Sequence, residues 1–389
     1  MTWATATSAV SIKVCRAPPV LDGLIDEGVS LTQYYSASPI CAPARAAFLT
    51  GRYPHRTGAI ETRELRGLCN LAIRETTIAD FYKRSGYSTG LIGKWHNGCL
   101  QKRFSPNARG FDEFIGFRSG WQDYYEWVLD RNGQHEKSDG RYLTDVFTEE
   151  AIGFIERHRD EPFFLHLAYN APHTPLQAPE SAVRPFADKG AFTEAVSTIY
   201  GMNHRMDAGI GRLLEKLDET GLSDNTLIVF TSDNGPQFGG KGEQSTVRFN
   251  CDFNGEKGKV YEGGIRVPAI LRWPAGLPTG EAIGDMIHGC DWLPTLTGMC
   301  DVDRSGGMPL DGIDASSILR GESSEMPDER FWQWNRYDPM IETNAAVRAG
   351  DWKLVRPAIK EASWTDPEEQ KLDSAFREAP WGDYDPIVT

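Results

Sequence analysis

The stretch that decides the fold runs Met206-Asp-Ala-Gly-Ile210-Gly-Arg-Leu213-Leu214-Glu-Lys-Leu217, then Gly221, Asp224-Asn225, Thr226-Leu-Ile-Val-Phe-Thr231 and Ser232-Asp233-Asn234-Gly235. Apolar residues at 206, 210, 213, 214 and 217 recur at helical spacing and predict an amphipathic helix. Gly221 and Asp224-Asn225 break that helix, and the β-prone run Thr226–Thr231 predicts a buried strand. The strand empties into a loop of Asp and Asn, side chains that do chemistry rather than packing.

The same order occurs twice more. Ile78, Phe81 and Tyr82 form a short apolar face ending at Gly86, followed by the strand-like Tyr87–Ile92 and then Gly93-Lys94-Trp95-His96. Phe147, Ala151, Ile152 and Ile155 precede Phe163–Ala168, which runs into Tyr-Asn-Ala-Pro-His173. Alternating helix and strand predicts an α/β core with a largely parallel sheet. In such sheets the loops after the strands converge on one crevice, so function is expected there, built from distant segments. Past residue 300 the alternation weakens. Gly, Ser, Pro and acidic residues crowd 301–330, and Ala345–Arg356 reads as one strand-like run. The expected division is a catalytic domain over 18–300 and a smaller C-terminal subdomain over 301–389.

Composition narrows the classes of function. In 389 residues, 41 Lys and Arg stand against 55 Asp and Glu, a net charge of −14 that repels phosphate backbones and disfavours nucleic acid. An anionic substrate remains compatible if a cationic pocket is set into that exterior. No apolar run approaches the ~20 residues of a membrane span. The start MTWATATSAVSIKVCR lacks the basic segment and apolar core of a secretory signal. Seven cysteines, odd in number and never spaced C-x-x-C, argue against a disulfide scaffold or zinc knuckle.

One cysteine stands apart. In Ser38-Pro-Ile-Cys41-Ala-Pro43-Ala-Arg45-Ala-Ala-Phe-Leu49-Thr50-Gly51-Arg52, Pro43 suits a first helical turn, Ala44–Leu49 favour helix and Gly51 suits its C-cap. Cys41 is then expected just before a helix N-terminus, where backbone N–H groups favour an anion, with Arg45 one turn along. A nucleophile, a cation and a helix end suit attack on an anionic ester. A small buried cysteine beside a structural arginine is the plainer reading of such a pair.

This segment resembles the sulfatase signature in its core form C-x-P-x-R, followed by L-T-G-R. Gly93-Lys94-Trp95-His96, Ala171-Pro172-His173-Thr174-Pro175, Thr231-Ser-Asp233-Asn234-Gly235 and Lys257-Gly-Lys-Val-Tyr-Glu-Gly-Gly-Ile-Arg-Val-Pro268 are similar to further motifs of that family, in its order. Pro19–Val29 looks like the helix that precedes the signature. The resemblance implies an alkaline phosphatase-like fold and hydrolysis of a sulfate monoester, on a sulfated carbohydrate or an aryl sulfate. It implies that a formylglycine-generating enzyme converts Cys41 to formylglycine, whose hydrate attacks sulfur, releases the alcohol and then expels sulfate. It implies that Lys94 and Lys257 stabilise the sulfonate oxygens, that His96 either acts as base or only orients its neighbours, and that His173 or Lys257 protonates the leaving group. Asp233, Asn234 and the modified Cys41 are implied ligands of Ca2+. Lys259 is expected to have no special role. Trp121, Tyr124, Tyr125 and Trp127 form either a sugar-stacking surface or a packed loop, the second being favoured. His55, His135, His158, His166, His204 and His288 are expected to be structural or exposed. A phosphonate or phosphodiester hydrolase on the same fold is the alternative enzyme. A non-catalytic remnant or sulfated-glycan binder is the alternative outside catalysis.

The family pattern breaks at the start. Sulfatases begin with a buried strand ending in two aspartates that bind the same cation, and nothing before Pro18 resembles it. Back-translated and shifted one base upstream, MTWATATSA permits D-D-M-G-Y-G-D-L-G, with Asp and Gly codons forced. Residues 1–17 are therefore expected to be an out-of-frame reading of that motif, which the upstream coding DNA tests. The chain as written is expected to bind calcium weakly and to turn over sulfate esters poorly.

Overall fold

The computed structural model describes residues 19–238, 248–322, 326–336, 340, 342–361, 364–369 and 371–372. The expected out-of-frame segment 1–17 lies outside the described residues. The helices are α1 (Pro19–Asp26), α2 (Cys41–Thr50), α3 (Pro54–Thr57), α4 (Ile78–Arg84), α5 (Leu143–Arg157), α6 (Glu180–Ala187), α7 (Glu194–Glu219), α8 (Glu262–Ile265), α9 (Trp292–Met299) and α10 (Ser316–Leu319). The strands are β1 (Val29–Leu31), β2 (Tyr34–Tyr35), β3 (Ser88–Lys94), β4 (Glu113–Phe117), β5 (Val128–Arg131), β6 (Gln134–Lys137), β7 (Phe163–Ala168), β8 (Ile228–Thr231), β9 (Ala269–Arg272), β10 (Glu281–Ile283), β11 (Ile287–His288), β12 (Glu329–Gln333), β13 (Ala345–Ala349) and β14 (Trp352–Arg356).

Each of the three expected helix–strand–loop units forms. α4 begins with a reciprocal cap: Thr77 Oγ1 accepts from the Asp80 N–H at 3.1 Å, and the Asp80 carboxylate accepts from the Thr77 N–H at 2.8 Å. Between them these bonds satisfy two of the donors that a helix start leaves free. α7 starts at the Thr193 cap and buries Met202, Met206, Leu213 and Leu217 along one stripe. The amphipathic segment read from the sequence is thus the second half of a longer helix.

The strands fall into a five-stranded sheet, β6-β5-β4-β3-β7, and a four-stranded sheet, β10-β1-β9-β8. β3 is parallel to both β4 and β7, while β4–β5, β5–β6, β1–β9 and β8–β9 are antiparallel. Both sheets are accordingly mixed: the parallel pairings of the five-stranded sheet centre on β3, and β1 is parallel to β10 in the four-stranded sheet. Alternation along β3 separates two cores. Leu91 joins Phe81, Tyr82, Trp95, Phe111 and Trp292 on the α4/α9 side. Ile92 joins Phe147, Phe154, Met202 and Met206 on the α5/α7 side. Helices on both faces of a mixed sheet make the three-layered α/β fold that the sequence implied. Among the described residues no helix is long and apolar enough to cross a membrane.

β12, β13 and β14 form a separate antiparallel sheet whose Trp332, Ala346 and Val355 pack on Tyr35, Val260 and Ile265. The single run expected over Ala345–Arg356 is a hairpin, because Gly350 adopts φ 55° and turns the chain between β13 and β14. Behind it, Arg330 is ion-paired to the fully buried Asp291 at 2.9 Å, anchoring this sheet to the start of α9.

The carboxyl ends of β3, β4 and β7 approach so closely that side chains are excluded. A Cβ on Gly93, at φ 111°, would lie 2.1 Å from the Ala168 carbonyl oxygen, and one on Gly116 would lie 1.8 Å from that of Gly93. Gly93→Ala is expected to cost about 2–4 kcal/mol from strain and overpacking together. Gly23→Ala, in a helix with open space around it, is expected to stabilise by about 0.4–1 kcal/mol. Urea denaturation of the two variants checks both signs.

Candidate active site

Cys41 is the first residue of α2, one position further into the helix than the sequence suggested, and is 3% exposed. Ile40 supplies no side-chain cap, so the first-turn N–H groups of α2 have no side-chain acceptor from it. Gly51 ends the helix at φ 67° in the left-handed region, as expected for its cap. Asn97 donates to the Ala42 carbonyl at 2.9 Å and ties the loop after β3 to the start of α2.

Arg45 organises the site. Its Nε meets Asp233 Oδ2 at 2.9 Å and its Nη1 donates to the Lys94 carbonyl at 2.8 Å. Lys257 is held beside them by its N–H to the Pro236 carbonyl, and the next N–H reaches the Pro39 carbonyl, each at 2.8 Å. One cavity of about 1000 Å3 has Cys41, Arg45, Lys94, His173, Asp233, Asn234 and Lys257 in its wall. Seven residues from five segments of the chain therefore meet at the carboxyl ends of the strands.

Burial and charge set the protonation states. Burial alone would raise the Cys41 thiol, but Lys257, Lys94 and the His173 and His96 rings hold it well below its ordinary value. Burial pushes the Lys94 ammonium down to about 8, with Arg45 and Lys257 acting the same way and the Cys41 and Asp233 charges opposing. His173 is pushed down to about 4, first by burial and then by Lys257. His96 is lowered by burial and by Lys94. Burial would raise Asp233, yet Arg45, Lys94 and Lys257 keep its carboxyl below the usual range. Both imidazoles are therefore neutral near pH 7, and the positive charge of the pocket belongs to Arg45, Lys94 and Lys257.

His96 is reached through strained backbone, at φ 58°, and is 2% exposed. Its Nε2 lies 3.3 Å from the Thr62 carbonyl and 3.7 Å from the buried Glu64 carboxylate, and its Nδ1 has no hydrogen-bond partner among the described residues. Sequence reasoning missed this backing. Glu64 also accepts from the Gly120 N–H, and Glu61 pairs with Arg336 at 2.7 Å. Trp334, four residues after the anchoring Arg330, packs on Ile40 and Cys41. No local motif marks these residues, which come from a loop and from the C-terminal sheet.

The remaining candidates separate cleanly. Lys259 is paired with Glu256 at 3.1 Å on a half-exposed side chain. Tyr124 and Trp127 are fully buried, so that loop is packed, and the Tyr124 hydroxyl donates to the His173 carbonyl at 3.0 Å. His158 bridges Glu113 and Glu161, and His288 is buried with Nδ1 accepting from the Cys290 N–H. His166, on β7, is pushed to about 3 by burial and by Arg45, and stays neutral.

Asn234 Oδ1 is buried without a hydrogen-bond partner, beside the Asp233 carboxylate. That orphaned acceptor has the chemistry of a ligand for a hard cation such as Ca2+. Among the described residues, however, no group of three or more His, Cys, Asp or Glu is arranged to hold a metal.

Comparison with known proteins gives a consistent picture. A family profile described as Sulfatase matches residues 6–302, and one described as N-sulphoglucosamine sulphohydrolase, C-terminal, matches residues 254–372. The chain is 31% identical over 343 residues to the uncharacterized sulfatase YdeN of Escherichia coli (strain K12), covering 81% of this chain and 59% of that protein. It is 31% identical over 346 residues to the N-acetylgalactosamine-6-sulfatase of Homo sapiens, covering 80% and 63%. The chain thus spans about three fifths of the length of these curated relatives. The crystal structure of Ps i-CgsB in complex with k-i-k-neocarrahexaose superposes with a TM-score of 0.80 at 28% identity, covering 94% of this chain and 86% of that one. A phosphonate monoester hydrolase from Silicibacter pomeroyi shares the fold at a TM-score of 0.64 and 21% identity, covering 88% and 82%.

The Arg45–Asp233 pair is partly screened, its side chains being 12% and 25% exposed. A double-mutant cycle on Arg45→Ala and Asp233→Ala is expected to return a coupling of about 0.5–2 kcal/mol, between the ranges for surface and buried pairs. Purely additive losses in urea denaturation would contradict the pairing.

Proposed function

The chain belongs to the sulfatase family, of alkaline phosphatase-like fold, and from that premise we propose that it hydrolyses a sulfate monoester with a nucleophile made from Cys41. The observation that carries the proposal is the convergence of Cys41 with Lys94, Lys257, Arg45 and His173 on one cavity. An anionic ester entering that cavity meets three fixed cations, in a place where low dielectric strengthens their effect. Formylglycine at position 41, made by a formylglycine-generating enzyme, would supply a hydrated aldehyde as the oxygen nucleophile. Position 41 suits it, being at a helix start with His173 and His96 beside it.

The chain's own residues divide the remaining work. Lys94 and Lys257 neutralise the sulfonate oxygens as charge builds on them. Lys257 protonates the departing alkoxide, a role that His173, half-buried at the cavity wall and neutral before substrate binds, shares once the negative charge of a bound ester has protonated its ring. His96, backed by Glu64, takes the proton of the nucleophile. Arg45 keeps Asp233 in place and ionised. Asp233 and Asn234 would hold a Ca2+ ion, which when bound adds positive charge beside the sulfate. The division into a catalytic domain over 18–300 and a C-terminal subdomain over 301–389 belongs to the same proposal.

A sulfated carbohydrate is the favoured substrate class. Support comes from the saccharide in the Ps i-CgsB complex and from the amino-sugar sulfatases among the relatives. Slow turnover of nitrophenyl sulfate is expected, lost entirely in Cys41→Ala, with the Cys41 peptide lighter than the unmodified thiol by mass spectrometry. Equal turnover by Cys41→Ala would sink the proposal. Faster turnover of the matching phosphonate ester would point to phosphorus chemistry instead, and an unmodified thiol without turnover would point to a sulfated-glycan binder.

Calcium binding is expected to be weak. Among the described residues the proposed ligands are Asp233, Asn234 and the modified Cys41, which fall far short of the 6–8 oxygens that Ca2+ takes and put the dissociation constant on the order of 10⁻³ M. Tight stoichiometric binding in a calorimetric titration would overturn this.

A further inference from the structure

The wall of the cavity that holds Cys41 carries a further cation, Arg248, beside Gln237. One short segment after the Asp233 loop places both Arg248 and Lys257. The Pro236 carbonyl accepts from the Lys257 N–H at 2.8 Å, and the next carbonyl, that of Gln237, accepts from Arg248 Nη1 at 3.2 Å. Pro236 is buried and Gln237 exposed, so Arg248 is anchored one residue nearer the mouth than Lys257. Its guanidinium lies over the Phe238 ring at 5.0 Å, and Tyr200 of α7 is near enough to act on its charge.

Other arginines around the site are matched by carboxylates: Arg45 by Asp233, Arg336 by Glu61 and Arg330 by Asp291. Arg248 is not. Among the described residues no carboxylate lies within ion-pairing distance of it, and its buried Nε has no hydrogen-bond partner. Glu256, the carboxylate that reaches this segment, is occupied: it accepts from the Phe238 N–H at 2.7 Å and pairs with Lys259 at 3.1 Å. Burial pushes the Arg248 guanidinium down to about 10, which leaves it charged at pH 7. A charge held out of water without a counter-ion is costly. One carbonyl and a ring face do not neutralise it. An anion does, and the planar donors of arginine match the oxygens of a carboxylate or a sulfate.

We propose that Arg248 is a second anion subsite, which recognises a carboxylate or a further sulfate on the sugar that bears the scissile ester or on the sugar next to it. The substrate is then a glycan with at least two anionic groups. The scissile sulfate itself belongs at Lys94 and Lys257, beside Cys41. This inference rests on the sulfate-ester reading of that site and adds what lies on the carbohydrate side of it. A small aryl sulfate, with a single charge, leaves Arg248 without a counter-ion.

The test compares binding to the full chain, by isothermal titration calorimetry, of saccharides that differ by one anionic group. Glucosamine 2-N,6-O-disulfate is set against N-acetylglucosamine 6-sulfate, and iota-neocarrabiose against kappa-neocarrabiose, to report a second sulfate. A monosulfated disaccharide with a uronic acid is set against its methyl ester to report a carboxylate. The more highly charged member of at least one pair is expected to bind about tenfold tighter. In Arg248→Gln that ratio is expected to fall to about one, and in Arg248→Lys to keep part of its value. The ratio within each variant is the readout, so a general loss of affinity cancels, and urea denaturation checks that each variant folds. A ratio near one for every pair in the unaltered chain, or a ratio unchanged in Arg248→Gln, would overturn the proposal. An equal fall in Arg320→Gln, which removes an exposed charge outside the cavity wall, would reduce the effect to net charge and overturn it too. Equal binding of both members of every pair leaves the sulfate-ester reading standing while the second subsite fails, whereas no binding of any member removes both.

Discussion

The guanidinium of Arg45 makes two bonds that belong to different parts of the fold, one to the Asp233 carboxylate after β8 and one to the Lys94 carbonyl at the end of β3. Because Arg45 itself projects from α2, a single side chain joins the helix that carries Cys41 to one strand from each sheet. The two sheets share no backbone ladder among the described residues. Side-chain bonds of this kind must then set the distance between Lys94 and Asp233, and with it the width of the pocket mouth. The fork geometry of arginine is what makes this possible, since a lysine at position 45 offers a point charge and no second directed donor.

That arrangement concentrates positive charge where burial already penalises it. Lys94 feels the cost most, falling to about 8, because Arg45 and Lys257 add repulsion to its desolvation. Asp233 is the compensating anion, and it is held ionised by the same cations that it relieves. A pocket poised in this way gains by admitting negative charge. A sulfate ester approaching the cluster would relieve that repulsion. The chain's net charge of −14 makes the pocket the exception on an otherwise acidic molecule, so the attraction is local and does not extend to polyanions at large.

Much of this was legible in the sequence because it is encoded locally. Helical spacing followed by a β-prone run located β3, β7 and β8, and the loops after them delivered Lys94, His173 and Asp233 to one place. Gly51 marks a helix end by backbone chemistry that needs no distant partner. The unreadable parts depend on contacts between remote segments. Glu64 backs His96 only because the loop over 61–67 folds across the end of β3, and Tyr124 supports His173 from 49 residues away. Trp334 reaches Cys41 because Arg330 is locked to Asp291, a pair that no spacing rule would have joined. The hairpin over Ala345–Arg356 was the one local failure, where a Gly-Asp turn was read through as continuous strand.

The glycines at the strand ends explain why the site can be so crowded. Gly93, Gly116 and Gly235 each sit where a Cβ would fall within about 2 Å of a backbone carbonyl oxygen. Removing side chains there lets β3, β4 and β7 converge until Lys94 and His173 line one cavity. Gly235, against the Gly263 carbonyl, does the same for the loops carrying Asp233 and Lys257. The close approach costs conformational entropy in the unfolded chain at each glycine. It is tolerated because the alternative, a wider mouth, would separate the cations by enough solvent to screen them from one another and from a substrate. Backbone compactness and electrostatic strength at this site are thus one constraint, met by residues that carry no functional group.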